Sequence, residues 1–315
     1  MCTGVSFVDP EGNLYFGRNL DWTVDYGEKV TYTPANYEFK TRFGAPDQKR
    51  AILGMGITCE GLPLYFDCVN EDGLACGGLN FPGYAQYEEG PVDGKTNVAA
   101  YEFPLWITRN FTTVAEVKEA LKDVAIVAVQ IAPQFPVSML HWFITDNKQS
   151  IVVEYMADGM HVYDNPVDVM TNQPTFAYHL ENLRNYMNVK PEFPATVKWD
   201  KMELTPWGSG TSMFGIPGDY SSPSRFVRAA YANAHYPAQE GEAANVNRLF
   251  KTLQNSAFIL GGAEVSTGHY EYTIYSSCYS TRTKTYYYTT YENSAVRSHS
   301  VDEFDQNSDQ IQQAA

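Results

Sequence analysis

Two stretches of this chain are written as hairpins whose strands are apolar on both faces. In the first, CTGVSFV and LYFGRNLDW flank the turn sequence DPEGN. In the second, LPLYFDCVN and LACGGLNF flank NEDG, whose Asp-Gly pair is a strong hairpin signal. A strand that is apolar on both faces must be covered on both sides. Helices that could supply cover are few. TTVAEVKEALKDV places Thr113 and Glu116 at capping-box spacing, with Val114, Val117, Leu121 and Val124 on one stripe. SPSRFVRAAYANAHY starts with Ser222 as a cap and Pro223 at the first helical position. EAANVNRLFKTLQ is amphipathic, and HWFITD, SIVVEYMADGMHVY, HYEYTIYSSCYS and KTYYYTTYE read as further strands. Strands in hairpins interrupted by a few helices predict an α+β fold with antiparallel sheets and helical outer layers. The segment 187–222 lacks periodicity and is rich in Pro, Gly and Trp, which suits an arm packed on another subunit. The polar tail DEFDQNSDQIQQAA is expected to fray.

Composition removes several classes of function. A chain of 315 residues with 44% apolar residues can bury a large core without cross-links. The formal net charge of −15, with no Lys/Arg block, argues against nucleic acid and against anionic membranes. No apolar run approaches the ~20 residues needed to span a bilayer, and the start MCTGVSFVDPEGN does not read as a signal peptide. The five cysteines (Cys2, Cys59, Cys68, Cys76, Cys278) have no metal-site spacing. These features predict a cytoplasmic protein without metal or cofactor, in which the Asn110-Phe111-Thr112 sequon is silent. GPVDGKT is one residue short of a phosphate loop, GMGITC lacks the third glycine of a dinucleotide fingerprint, and no HExxH or Gly-x-Ser-x-Gly occurs. A papain-like pairing of a cysteine with one of the six histidines stays open.

Cys2 follows the initiator methionine directly. If Met1 is removed, Cys2 carries a thiol and a free α-amine. An amine that titrates near ~8 can accept the thiol proton at cellular pH. A turn centred near Glu11 places Cys2 opposite Leu20, with Arg18 next to it on the same face. A cation there favours the thiolate. Asp21 has the wrong parity for that face and reaches it only if the strand ends or bulges. Asn80 ends the second hairpin, and Asn172 stands in MTNQPTF, close to the extended backbone that Pro174 favours. Arg225 sits in a first helical turn, where the dipole disfavours a cation, which points to a role beyond helix stability. Taken one at a time, Cys2 is a small buried residue, the ions a structural pair and the asparagines turn residues. Together they supply a nucleophile, a base and donors for a tetrahedral oxyanion.

The motifs MCTGVSF, YFGRNLDW, GLNFPGYA, TNQPTF and GDYSSPSRF resemble the choloylglycine hydrolase family, specifically its bile salt hydrolases. The likeness runs from the first residue to beyond position 290. It implies a single domain over residues 1–315 with the four-layer αββα N-terminal nucleophile hydrolase fold and two stacked antiparallel sheets. It also implies a homotetramer, with 187–222 as an assembly loop. By the same resemblance Cys2 attacks an amide, Arg18 and Asp21 position and tune the thiol and amine, and Arg225 completes the polar cluster. Asn172 and the main-chain N–H of Asn80 then form the oxyanion hole. The implied reaction releases glycine or taurine from a conjugated bile salt. Such a substrate needs a broad apolar pocket, for which Leu20, Trp22, Tyr26, Phe81, Ile131, Phe135 and Leu140 are the candidates.

Three other readings compete. Penicillin V acylases share the fold and nucleophile but commonly carry Tyr where this chain has Asn80. Glutamine amidotransferase domains also begin with cysteine but usually follow it with Gly, where Thr3 stands here. With 23 tyrosines, a binding protein without catalysis is the third.

Overall fold

The two hairpins fall in different sheets. The structure, a computed structural model, describes residues 1–314. Strands Cys2–Val8 and Leu14–Trp22 lie in a seven-stranded sheet. Its order is Val169–Met170, Cys2–Val8, Leu14–Trp22, His269–Ser280, Thr285–Thr290, Arg297–Ser300, and Ala263–Ser266 also pairs with His269–Ser280. Strands Leu62–Asn70 and Ala75–Asn80 lie in an eight-stranded sheet. Its order is Gly159–Asp164, Ser150–Met156, Leu140–Thr145, Ala75–Asn80, Leu62–Asn70, Ile52–Cys59, Lys29–Thr33, Gln312–Gln313. All of these pairings are antiparallel.

The sheets face each other through apolar side chains, with Phe16 meeting Phe143 edge to face at 5.7 Å. Helices Ser222–His235 and Glu242–Gln254 cover the outer side of the first sheet, where the Asn19 amide donates to the Leu253 carbonyl at 2.9 Å. Helix Phe103–Asn110 covers the second, where the Asn70 amide donates to the Thr108 carbonyl at 2.9 Å. The result is four layers, αββα, and it explains why the hairpin strands carry apolar residues on both faces. Gly17 sets one of the closest contacts. A Cβ there would stand 1.9 Å from the Ser277 carbonyl oxygen and 2.6 Å from Leu249 Cδ2, so only glycine fits beside Arg18.

The register agrees with the reading of the turn: Cys2 pairs with Leu20 and Gly4 with Arg18. Three local expectations need correction. Ser221, not Ser222, occupies the N-cap position of helix Ser222–His235, because the Ser222 hydroxyl bonds Asn172 and Thr171 instead. Val124 does not continue its helix but starts strand Val124–Val127. The polar tail does not fray: Gln312–Gln313 adds an edge strand beside Lys29–Thr33, and the Ala314 N–H donates to the Val30 carbonyl at 2.8 Å. Main-chain pairing holds a segment that composition alone would release. Within 187–222 the chain forms only a small hairpin, Val197–Trp199 with Met202–Leu204, and one 3-10 turn. Met187, Phe193, Trp199, Met202, Trp207 and Phe214 are exposed along it, Trp207 at 98%.

Candidate active site

Cys2 and Arg18 share a face because they stand on paired strands two register positions apart. The Arg18 side chain runs into the gap between the sheets and is 1% exposed. Its Nη2 donates to Cys2 Sγ at 2.6 Å, and its Nη1 donates to the carbonyls of Gly78 at 2.5 Å and Phe66 at 2.8 Å. These bonds aim a permanently charged guanidinium at the sulfur and tie it to the second sheet, a geometry that stabilises a thiolate.

The other side of the Cys2 backbone is held by Arg225 and Asn172, both wholly buried. Arg225 Nη1 donates to the Cys2 carbonyl and to Thr3 Oγ1 at 2.8 Å, while its Nε donates to the Tyr220 carbonyl at 2.9 Å. Its Nη2 donates to Asn172 Oδ1 at 2.9 Å, and the same oxygen accepts the Cys2 N–H at 2.6 Å. An arginine in a first helical turn is therefore explained by the chain start it clamps.

Asn172 links this cluster to Asn80 by donating from Nδ2 to the Asn80 carbonyl at 2.8 Å. Asn80 is in register with Leu140, whose own N–H and carbonyl both bond the Tyr87 hydroxyl. The main chain of Asn80 is thus turned away from that strand. In an extended residue N–H and C=O share an edge, so the Asn80 N–H lies on the edge that faces Asn172. The second hydrogen on Asn172 Nδ2 and the Asn80 N–H are the two donors available to an oxygen placed there.

Asp21 does not turn to the thiol's face. It keeps the alternation of its strand, on the side where Asn19 meets the helices, and the nearby register shift lies on the facing strand between Thr273 and Tyr275. Its Oδ1 accepts from the Thr273 hydroxyl at 2.5 Å, and its Oδ2 is buried with no hydrogen-bond partner. Burial pushes the carboxyl up from its ordinary value, against the pull of Arg225, the chain's amino terminus and Thr273. The Met1 ammonium donates to the Asp21 carbonyl at 2.5 Å and to Glu271 Oε1 at 2.6 Å. The amino terminus is therefore held by the main chain of Asp21 and the carboxylate of Glu271.

Residues that hold Asn172 in place escaped the sequence reading. The Ser222 hydroxyl accepts the Asn172 N–H at 2.9 Å, and His179 Nε2 donates to the Asn172 carbonyl at 2.8 Å. Burial lowers the His179 imidazole to about 4, so it is neutral at physiological pH. His141 stacks on Phe81 at 4.1 Å and bonds Glu154 and the Thr171 carbonyl, supporting the segment from below. Only their proximity in space marks these residues, since Ser222 reads locally as a helix cap and the histidines as scattered. No histidine bonds a cysteine, which leaves the papain-like pairing without support among the described residues.

Of the apolar candidates, Leu20, Trp22, Ile131, Phe135 and Leu140 are partly exposed and Tyr26 is 46% exposed. Phe81 is corrected: it is fully buried between Tyr84 and His141, where it backs Asn80 and offers no surface to a ligand. Among the described residues no three of His, Cys, Asp and Glu come together as a metal site, and no helix is long and apolar enough to cross a membrane.

The profile of "Linear amide C-N hydrolases, choloylglycine hydrolase family" matches residues 2–313. A bile salt hydrolase/transferase of Bifidobacterium longum subsp. longum is 55% identical over 99% of this chain and 98% of its own. A conjugated bile acid hydrolase of Lactobacillus acidophilus is 47% identical over 98% of both chains. The crystal structure of the C2A mutant of conjugated bile acid hydrolase from Clostridium perfringens superposes with a TM-score of 0.92 at 34% identity, covering 100% of this chain and 97% of that one. Penicillin V acylase from Agrobacterium tumefaciens shares the fold, with a TM-score of 0.76 at 20% identity over 98% of this chain and 90% of that one. The four layers are those of the N-terminal nucleophile hydrolases, and the chain belongs to the choloylglycine hydrolase family of linear amide C–N hydrolases.

Proposed function

We propose that this enzyme hydrolyses the amide joining a bile acid to glycine or taurine, with Cys2 as the nucleophile once Met1 has been removed. The observation that carries the reading is the convergence of Arg18 on the Cys2 sulfur and of Asn172 and Arg225 on its main chain. The names of its relatives, bile salt and conjugated bile acid hydrolases, supply the substrate class.

With Met1 gone, the Cys2 nitrogen becomes an amine beside Asn172 Oδ1 and takes the thiol proton. The thiolate, held by Arg18, attacks the amide carbon. The C–S bond forms, and the carbonyl electron pair moves to oxygen, which the Asn172 amide and the Asn80 N–H receive. The resulting ammonium returns its proton to the leaving nitrogen as the C–N bond breaks. Water activated by the same amine then cleaves the thioester and frees the acid and the thiol. Asp21, with one unpartnered oxygen, holds the amine. Leu20, Trp22, Tyr26, Ile131, Phe135 and Leu140 form the apolar wall for the steroid, where each Å² removed from water contributes roughly 25 cal/mol. Four relatives are named transferases as well as hydrolases. An acyl-thioester gives a physical route to that activity, because an amine can replace water in the second step.

The assembly is a homotetramer joined through 187–222, whose exposed tryptophans and phenylalanines need cover. The five free thiols suit the reducing cytoplasm.

Penicillin V is the competing substrate, and the fold alone does not discriminate between the two. Asn80 stands where a tyrosine would narrow the approach to the carbonyl. Side-by-side kcat/KM values for glycocholate, taurocholate and penicillin V on one preparation test the reading. The bile salts are expected to win, and an advantage of tenfold or more for penicillin V would overturn the substrate class.

A further inference from the structure

We propose that Asp67 is a positioning residue for this reaction: buried between the sheets, it is the standing counter-ion of Arg18 and sets how strongly that guanidinium favours the Cys2 thiolate. The inference rests on Cys2 being the nucleophile.

Asp67 is the only charged residue in the strand LPLYFDCVN and is 1% exposed. Its Oδ1 accepts from the Tyr275 hydroxyl at 2.5 Å. Its Oδ2 accepts from the Tyr286 hydroxyl at 2.6 Å and the Ser277 hydroxyl at 3.2 Å. All three donors come from the opposite sheet. Burial pushes the Asp67 carboxyl up from its ordinary value, while the nearby Arg18 charge and the Tyr275, Tyr286 and Ser277 hydroxyls favour its ionised form. Ser277 Oγ in turn accepts the main-chain N–H of Arg18 at 3.1 Å, and Arg18 Nη1 donates to the main-chain carbonyl of Phe66, the neighbour of Asp67. A path of hydrogen bonds and main chain therefore joins Asp67 to Arg18, with no direct ion pair between them.

Charge balance gives this path its function. The guanidinium bonds Cys2 Sγ and the carbonyls of Asn19, Phe66 and Gly78, none of them a carboxylate. A buried cation requires compensating negative charge. Cys2 supplies it only as the thiolate, since both the free thiol and the acyl-thioester are neutral at sulfur. Asp21 lies on the helix side of its strand, with Arg225, Glu271 and the amino terminus around it. The Tyr275 and Tyr286 hydroxyls are pushed well above their ordinary range by burial and stay neutral. Asp67 is left as the charge that balances Arg18 whenever the sulfur is neutral. It tempers the cation's pull, so that the thioester can form without stranding a bare guanidinium in the core.

The test is the pH dependence of Cys2 alkylation by iodoacetamide in wild type and Asp67→Asn, read as the mass of the N-terminal peptide so that the partly exposed Cys59 does not contribute. Asparagine keeps the shape of Asp67 and can still bond both tyrosines. Removing the negative charge should lower the thiolate midpoint by ~0.5 unit or more. An unchanged midpoint overturns the proposal. So does a raised one, which is what mere loosening of Arg18 would give, because the thiolate would lose its cation. If Asp67→Asn does not fold, the neutral Asp67→Ser removes the same charge and leaves a hydroxyl for the two tyrosines. It should lower the midpoint likewise, and an unchanged or raised midpoint there overturns the proposal equally. Full turnover by wild-type protein whose Cys2 is completely alkylated would remove the nucleophile reading itself, and the role of Asp67 with it.

Discussion

Replacing Asn172 separates the oxyanion role from the structural one. Its side chain makes three hydrogen bonds at full burial: it accepts from the Cys2 N–H and from Arg225, and donates to the Asn80 carbonyl. Asn172→Ala strands all three partners. At about 1–3 kcal/mol for each buried group left unpaired, less where water refills the space, the total reaches about 3–6 kcal/mol. That is a large part of the 5–15 kcal/mol that typically holds a domain together, so lost activity in this variant could reflect lost fold. Asn172→Asp is the sharper probe. It retains the oxygen that Cys2 and Arg225 use, and the buried arginine compensates the added charge. What it removes is the donor, replaced by an oxygen facing the Asn80 carbonyl and the developing oxyanion. Loss of one such donor costs about 100- to 1,000-fold in kcat. Steady-state release of amine from glycocholate, with thermal melts on the same preparations, gives both readouts. The expected result is a cooperative melt lowered by less than in Asn172→Ala, and kcat down at least 100-fold with little change in KM. A kcat within threefold of wild type, or a loss confined to KM, would refute the oxyanion assignment.

Further outcomes are expected. A tag retained directly before Cys2 should abolish hydrolysis, because an amide nitrogen cannot take the thiol proton, and moving the tag to the other end should restore it. Equal activity in both, with the tag confirmed by mass, would show that the amine is not the base. Burial lowers His179 to about 4 in the folded chain, below its ordinary 6.5. The unfolded chain therefore binds the extra proton first, and stability present above pH 6.5 falls on acidification by about 2–3 kcal/mol at pH 4.5. His179→Gln should flatten this part of the urea-midpoint profile between pH 7 and 4.5, and a profile identical to wild type would contradict it. Gly17→Ala should destabilise the fold by more than ~3 kcal/mol, since the Ser277 carbonyl 1.9 Å from the new Cβ is backbone and cannot step aside. A wild-type urea midpoint would disprove that contact.

Local pattern was enough to find the parts of the site that short-range chemistry determines. The DPEGN turn sets the Cys2–Leu20 register and so puts Arg18 beside the sulfur. The second hairpin ends at Asn80 as its Asp-Gly turn implies. Everything that depends on strand His269–Ser280 was out of reach, because that strand arrives some 250 residues after its neighbour Leu14–Trp22. Thr273 on Asp21, and Ser277 and Tyr275 on Asp67, are products of that late pairing. Asp67 did carry a signal, a lone acid in an apolar strand, but its partners belong to the other sheet. Ser222 reads as a helix cap until Asn172 is folded against it. The tail was misread because its edge pairing uses the main chain, which composition does not report.

The proposed mechanism requires that Cys2, freed of Met1, forms the acyl bond. Acid quench of the enzyme during turnover of glycocholate, followed by intact and peptide mass, tests it directly. The expected result is a steroid acyl adduct on the N-terminal peptide, with Met1 absent and Cys2 carrying the added mass, and loss of the adduct on treatment with hydroxylamine. Turnover by a chain that keeps Met1, or an adduct on any residue other than Cys2, would contradict it.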